Sequence, residues 1–160
     1  MNVINESGTL ALSTRLQRLS EQLRKDGAMV YKEFNIDFEP KYFPVIFTLH
    51  HKKILSVVEI ASEIGYSHPS TISLLKDLEK QGLIQSKKDK QDERKRMIVL
   101  SPKGLELIEK MKPVWELIST VLAEIADNEN NLLKAINEAE EKITKQSFLQ
   151  RALEIKSDFK

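Results

Sequence analysis

No cysteine occurs among the 160 residues. Disulfides, thiolate metal sites and sensing by thiol oxidation are therefore excluded, and the absence fits a reducing compartment. Histidine is scarce as well, at three. His50 and His51 are adjacent, so they point to different faces of a helix, and His68 has no histidine three or four residues away. No metal site is expected. Glycine is limited to five residues, and no phosphate-cradling loop, nucleophile elbow, Ser/His/Asp set or paired-carboxylate constellation stands out. Neither an enzyme nor a cofactor is expected. Long apolar runs are missing too. The uncharged stretch "YFPVIFTLHH" at 42–51 falls far short of the ~20 residues a membrane helix needs. The N-terminus "MNVINESGTL" lacks a basic segment followed by an apolar run. The expectation is a cytoplasmic protein without a membrane partner.

The chain does contain enough apolar sequence for a core, 41% hydrophobic against 31% charged, which reads as globular. Its length suits one domain, or one domain with helical extensions. The net charge of +1 hides an asymmetry. Residues 1–67 carry 8 basic and 8 acidic side chains, residues 68–104 carry 9 and 5, and residues 105–160 carry 8 and 11. Positive charge is concentrated in the middle third, a modest sign of nucleic-acid binding. The plainer reading is a chance cluster of solvated charges.

Apolar spacing predicts a long helix over about 10–35, where Leu12, Leu16, Leu19 and Leu23 recur at steps of four, three and four. "NIDFEP" ends it, because the residue before Pro40 is pushed out of the α region. A second helix, about 41–52, carries Tyr42, Phe43 and Phe47. Ser56-Val-Val-Glu59 is a capping box with Leu55 and Ile60 as the hydrophobic staple. The short helix it opens stops at Gly65. Ser67 caps the next, "HPSTISLLKDLEKQ", which has Pro69 in its first turn and ends at Gly82. Two short helices joined by "GYS" form a helix-turn-helix. "LIQSKK" and "RMIVL" then read as a hairpin around the charged tip "DKQDERK". Ser101 and Pro102 open a helix to about Ala126. Asp127 or Asn128 caps a last one, which carries an apolar stripe of Leu132, Ile136, Ala139 and Ile143. The fold expected is mainly α with a small β-hairpin wing, a winged helix-turn-helix between N- and C-terminal helices.

On the second helix of the motif, Thr71, Leu74, Leu75 and Leu78 share an inward face. Ser73, Lys76 and Lys80 lie opposite, and Ser67, His68, Pro69 and Ser70 crowd the N-terminus. An apolar back with small or donor-rich residues at the N-terminal end suits a helix read into the major groove. An ordinary amphipathic helix would look the same in isolation. The hairpin changes that balance. Lys87, Lys88, Lys90, Arg94, Lys95 and Arg96 place six basic residues in ten positions. Such a tip can set an arginine into a narrow minor groove, and Asp92 can hold Arg94 through a fork-type pair. The alternative role is a soluble turn that guards sheet edges.

The stretch "SVVEIASEIGYSHPSTISLLKDLEKQGLIQSKKDKQDERKRMIVLSPKG" resembles the winged-helix core of the MarR family of transcriptional regulators. The family's wing pattern of D-x-R, five residues, then L-[ST] falls on Asp92, Arg94, Leu100 and Ser101, with Gly104 after it. "LEKQGLI" at 78–84 matches the end of the family's recognition helix. The resemblance is nearest to MarR-like modules fused ahead of an acetyltransferase. These share "DFEPKYFPV" (37–45), "SHPS" (67–70) and a stretch like "SFLQR" (147–151). The chain ends where such a fusion would continue, and no acetyl-CoA phosphate loop is present. Ile72 departs from the pattern, since many members have Ser or Thr there.

The resemblance implies a sequence-specific DNA-binding regulator, a homodimeric repressor on a pseudo-palindromic duplex operator, relieved in many relatives by a small-molecule effector. It divides the chain into a dimerisation helix at 1–36, the winged helix-turn-helix at 37–104 (recognition helix about 68–81, wing about 84–100) and C-terminal dimerisation helices at 105–160. DNA contacts are expected from Ser67, His68, Pro69, Ser70, Ser73, Lys76, Lys88, Asp92, Arg94, Lys95 and Arg96. Dimer contacts are expected from Leu12, Leu16, Leu19, Leu23, Leu132, Ile136, Ile143, Phe148 and Leu149. An effector would meet Tyr31, Phe34, Tyr42, Phe43, Phe47 and Trp115, residues that ordinary core packing would also explain. Ile72 and the low overall charge keep a second possibility open, a winged-helix module or co-regulator that binds protein and has little DNA affinity.

Overall fold

A computed structural model of the chain describes residues 2–89, 92 and 95–159. The chain divides into two compact units, Met1–Trp115 and Glu116–Lys160. No helix among the described residues is long and apolar enough to cross a membrane.

The first unit begins with a short helix α1 (Val3–Glu6), a 3-10 turn (Gly8–Ala11) and the long helix α2 (Leu12–Glu33). The expected break after α2 occurs at Asn35, which takes a left-handed φ of 56°. The Ile36 N–H then bonds back to the Tyr31 carbonyl at 2.9 Å and turns the chain off the helix. A second 3-10 turn (Pro40–Tyr42) leads into α3 (Phe43–Lys52), with Pro44 in its first turn, where a missing N–H costs nothing.

The Ser56 capping box forms as read. Its side chain accepts from the Glu59 N–H, the Glu59 carboxylate accepts from the Ser56 N–H, and α4 (Val57–Ile64) ends on Gly65 at φ 69°. Ser67 caps α5 (His68–Lys80) by accepting from the Ser70 N–H. After Gly82 come strands β2 (Ile84–Lys88) and β3 (Arg96–Leu100), paired antiparallel with Lys88 opposite Arg96 and Ser86 opposite Ile98. The expected hairpin forms, and the sheet has one strand more than the sequence indicated. A third strand, β1 (Ile54–Ser56), pairs with the far edge of β3 and gives the order β1-β3-β2. Leu55 and Ser56, the expected staple and cap residues of α4, are thus also strand residues.

Val45, Ile46 and Leu49 of α3 meet Ile60, Leu75, Leu78 and Ile98 in the core, together with Ile108, Met111 and Val114 of α6 (Pro102–Ala126). All are fully buried, and burial of each such side chain is worth about 1.5–3 kcal/mol. Ser101 fastens the start of α6. Its hydroxyl donates to the Gly82 carbonyl at 2.6 Å and accepts from the Gly104 N–H at 3.0 Å. Gly104 passes so close to Leu83 that a Cβ there would run into the Leu83 carbonyl oxygen. The "LSPKG" stretch is thus a junction between the wing base and α6.

The second unit differs from the single last helix expected. Asn131, not Asp127 or Asn128, caps α7 (Leu132–Lys145), with φ 49° and its side chain accepting from the Lys134 N–H. Gln146 is extended, and Ser147 and Gln150 form a second capping box that opens α8 (Phe148–Ile155). No residue of α7 or α8 is buried.

Candidate nucleic-acid interface

The α4–α5 pair is a helix-turn-helix, and the way α5 is anchored decides what it presents. Thr71, Leu75 and Leu78 are fully buried on its inner face. The Thr71 hydroxyl donates to the Ser67 carbonyl at 3.0 Å, so even the polar member of that face is satisfied. Ser67, His68, Pro69, Ser70, Ser73 and Lys76 are all exposed. The expected reading residues are therefore solvent-exposed, all within the N-cap and first nine residues of the helix. The Ser67 hydroxyl also donates to the Ser70 hydroxyl at 2.8 Å, which orders both side chains. Ile72 is half-buried, whereas Ser73 is exposed.

On the wing, Lys87, Lys88 and Lys95 are exposed. The turn between the strands is shaped by Asp89, whose carboxylate accepts from the Asp92 N–H at 3.0 Å. The Lys95 N–H bonds to the Asp92 carbonyl at 2.9 Å. Asp92 is exposed at this turn. Lys90 and Arg94, and with Arg94 the expected Asp92–Arg94 pair, lie outside the described residues.

Arg96 is tied to its neighbours by side-chain bonds. Its Nη2 donates to Glu79 Oε2 at 2.6 Å and its Nε donates to Ser86 Oγ at 2.6 Å. The Ser86 hydroxyl donates to Glu79 Oε1 at 2.6 Å and closes a three-membered ring of bonds between α5 and both strands. The Ser86 hydrogen bond, joined by Arg96, holds the Glu79 carboxyl below the usual carboxylate range, against the opposing effect of burial. Glu79 and Ser86 were not singled out from sequence. Strand parity carried the signal: Arg96, Ile98 and Leu100 share one face of β3, and Ile98 is in the core.

The expected effector residues separate into two ring clusters. Tyr31 packs edge-on to Phe38, and Phe38 to Tyr42. Phe43 stacks on Phe47 at 4.9 Å, and Trp115 stands edge-on to both. The Trp115 indole N–H joins the clusters by donating to the Tyr31 hydroxyl at 2.9 Å. Burial pushes the Tyr31 phenol up, and the Trp115 hydrogen bond offsets part of that. Phe34 enters neither cluster among the described residues and is 46% exposed. A hollow of about 460 Å³ lies elsewhere, lined by Asp37, Gln81, Leu83, Lys103, Glu106, Leu107 and Lys110. His50, beside Trp115, has a buried Nδ1 with no hydrogen-bond partner among the described residues.

Of the expected dimer residues, Leu12, Leu16 and Leu19 on α2 are exposed and Leu23 is half-buried. In the second unit, Ile136, Ile143, Phe148 and Leu149 are exposed, and Leu132 is half-buried.

Known proteins share this architecture. The HTH-type transcriptional regulator Hpr of Geobacillus thermodenitrificans is 30% identical over 112 residues, which is 67% of this chain. That match takes in 54% of Hpr, so the chain spans about half the length of this curated relative. The S. aureus MepR–DNA complex superposes with a TM-score of 0.67 at 21% identity, covering 82% of this chain and 96% of MepR. The organohalide-sensing transcriptional regulator RdhR-CbdbA1625, in its 2,4-dichlorophenol-bound form, superposes with a TM-score of 0.72 at 15% identity, covering 90% and 85%. These two likenesses are likenesses of fold. Residues 36–95, from the approach to α3 through the helix-turn-helix and into the wing, match the MarR family model. With that match over the winged helix and the fold around it, the chain is a member of the MarR family.

Proposed function

We propose that the chain is a DNA-binding transcriptional regulator, acting as a homodimeric repressor on a pseudo-palindromic operator. The observation that carries the reading is the surface of α5. Six small, polar or basic residues from Ser67 to Lys76 are solvent-facing on a helix whose other side is locked into the core. The basic hairpin is bonded to the same helix. Serine hydroxyls and Lys76 suit base edges and phosphates in the major groove, and the wing lysines suit the backbone beside it. Arg94, at the position the family's wing pattern gives to arginine, is assigned to the minor groove.

Dimerisation is assigned to the leucine face of α2 and the apolar faces of α7 and α8. These expose Leu133, Ile143, Phe148, Leu149 and Leu153 in helices too short to be stable alone. A two-fold dimer meets two half-sites about one helical turn apart. Relief by an aromatic effector at Phe43, Phe47 and Trp115 is the matching proposal for regulation. RdhR-CbdbA1625 carries an aromatic ligand of that kind.

The test is selection of genomic fragments by the purified protein, then binding of the best fragment at two salt concentrations by wild type, Lys76→Ala and Arg94→Ala. Palindromic enrichment with a steep loss of affinity at higher salt is expected. Lys76→Ala should lower the salt slope by about one, because a phosphate contact releases a counterion, and Arg94→Ala should weaken binding to many sequences through loss of its minor-groove charge. Absence of any enriched fragment, or affinity indifferent to salt, would overturn the reading.

A further inference from the structure

We propose that Arg96 is a positioning residue for DNA recognition rather than a DNA contact: with Glu79 and Ser86 it pins the wing to the recognition helix. The proposal rests on the DNA-binding reading above. It differs in the role it gives to one of the basic wing residues, and it brings in two residues that no charge count would select.

Three observations support it. First, the ring of bonds is closed. Arg96 Nη2 reaches Glu79 Oε2, Arg96 Nε reaches Ser86 Oγ, and Ser86 Oγ reaches Glu79 Oε1, each at 2.6 Å. The guanidinium spans both partners as a planar fork, a geometry a lysine cannot reproduce. Second, strand parity puts Arg96 on the face of the sheet that carries the core residue Ile98, and Arg96 is half-buried there while Lys88, opposite it on the same face, is exposed. Ile98, two residues away, is fully buried. Lys87 and Lys95 have the other parity and are exposed. Third, the charge of Arg96 is already matched. The guanidinium is already held by a carboxylate and a hydroxyl, so Arg96 is not counted among the phosphate contacts that set the salt slope.

Glu79 lies in the last turns of α5, and Ser86 and Arg96 lie on the two wing strands. The ring therefore joins the two elements assigned to the major and minor grooves. Fixing their spacing before binding saves the ordering cost that a free wing would incur on DNA. The pair is about one-third exposed, 37% on each side chain, so its effect is moderate. The expected loss of affinity on breaking it is roughly fivefold.

The sign of one substitution separates positioning from contact. Glu79→Ala removes a negative charge near DNA. Simple electrostatics demands tighter binding, whereas positioning demands weaker binding. We expect Glu79→Ala and Arg96→Ala to weaken operator binding alike, the double variant to be no weaker than either, and the salt slope to stay at the wild-type value. Arg96→Lys should behave like Arg96→Ala, and the exchange of charges in Glu79→Arg with Arg96→Glu should restore part of the affinity. Binding to random duplex should be unchanged, which a general loss of folding would not allow. Amide exchange of the β2–β3 ladder, measured without DNA, should quicken in both single variants. Tighter binding by Glu79→Ala, or a salt slope about one unit shallower in Arg96→Ala, would make Arg96 a phosphate contact and overturn the proposal. Unchanged ladder exchange would overturn it as well. Should wild type bind no duplex at all, the functional reading fails first and takes the DNA role of Arg96 with it. The exchange data then report the pinning alone.

Discussion

Gly104 and Ser101 show how much one backbone contact can demand of two residues. The Leu83 carbonyl oxygen occupies the space a Cβ on residue 104 would need. Gly104→Ala should cost about 1–3 kcal/mol, since the obstacle is backbone and cannot rotate away. Ser101 is 3% exposed and serves both the Gly82 carbonyl and the Gly104 N–H. Ser101→Ala leaves both groups short of a partner and should cost about 1–3 kcal/mol. Urea unfolding measures both losses, and the double variant should lose less than the sum because the sites touch. His50 makes a prediction about pH. Burial of the ring lowers its pKa, and the nearby charge of Lys53 adds to the effect. The unfolded chain therefore takes up the proton first. Stability is fully present above about pH 6.5 and falls as pH drops from there through the folded value. A titration of the ring by nuclear magnetic resonance should give a midpoint below 6.5; a midpoint at or above it would remove the burial argument.

At the level of elements, what the sequence reveals depends on how local the determining contacts are. The Ser56 box, the Gly65 stop and the Ser67 cap are each set within four residues, and all three form in the structure as the sequence implies. Strand β1 could not be read that way. It has three residues, too few for a period-two pattern, and its partner in β3 is more than forty residues away. The break between α7 and α8 was hidden for the opposite reason. The stripe from Leu132 to Ile143 is so regular that it invites continuation, although Ser147-Phe-Leu-Gln150 has the same box signature as Ser56-Val-Val-Glu59. The exposed face of α5 was legible because a buried face defines its opposite. The role of Arg96 was not, because a count of positive charges ignores which side of a strand each occupies. Ser147→Ala should weaken the start of α8 by about 1 kcal/mol, so amide exchange within Phe148–Ile155 should quicken roughly fivefold. No change would mean the box is not holding that helix.

The whole molecule sets a locally basic middle third against an acidic final third, within a net charge of +1. A cation-rich middle third thus lies within a chain of almost no net charge. If the exposed leucines and phenylalanines pair across two copies, sedimentation should give about twice the 18.4 kDa chain mass. The melting temperature should also rise with protein concentration. Leu149→Asp should return the mass to one chain and abolish the concentration dependence. The aromatic cluster has a consequence of a different kind. Trp115 is the sole tryptophan in the chain, its indole N–H is held by Tyr31 and its ring lies against Phe43 and Phe47. All indole fluorescence of the protein therefore comes from one place, the place where an aromatic effector is proposed to lodge. A compound that displaces the Tyr31 hydroxyl or slides between the rings must change the colour or brightness of that emission. The protein carries its own optical gauge, and a library of small aromatics can be screened against it without a label.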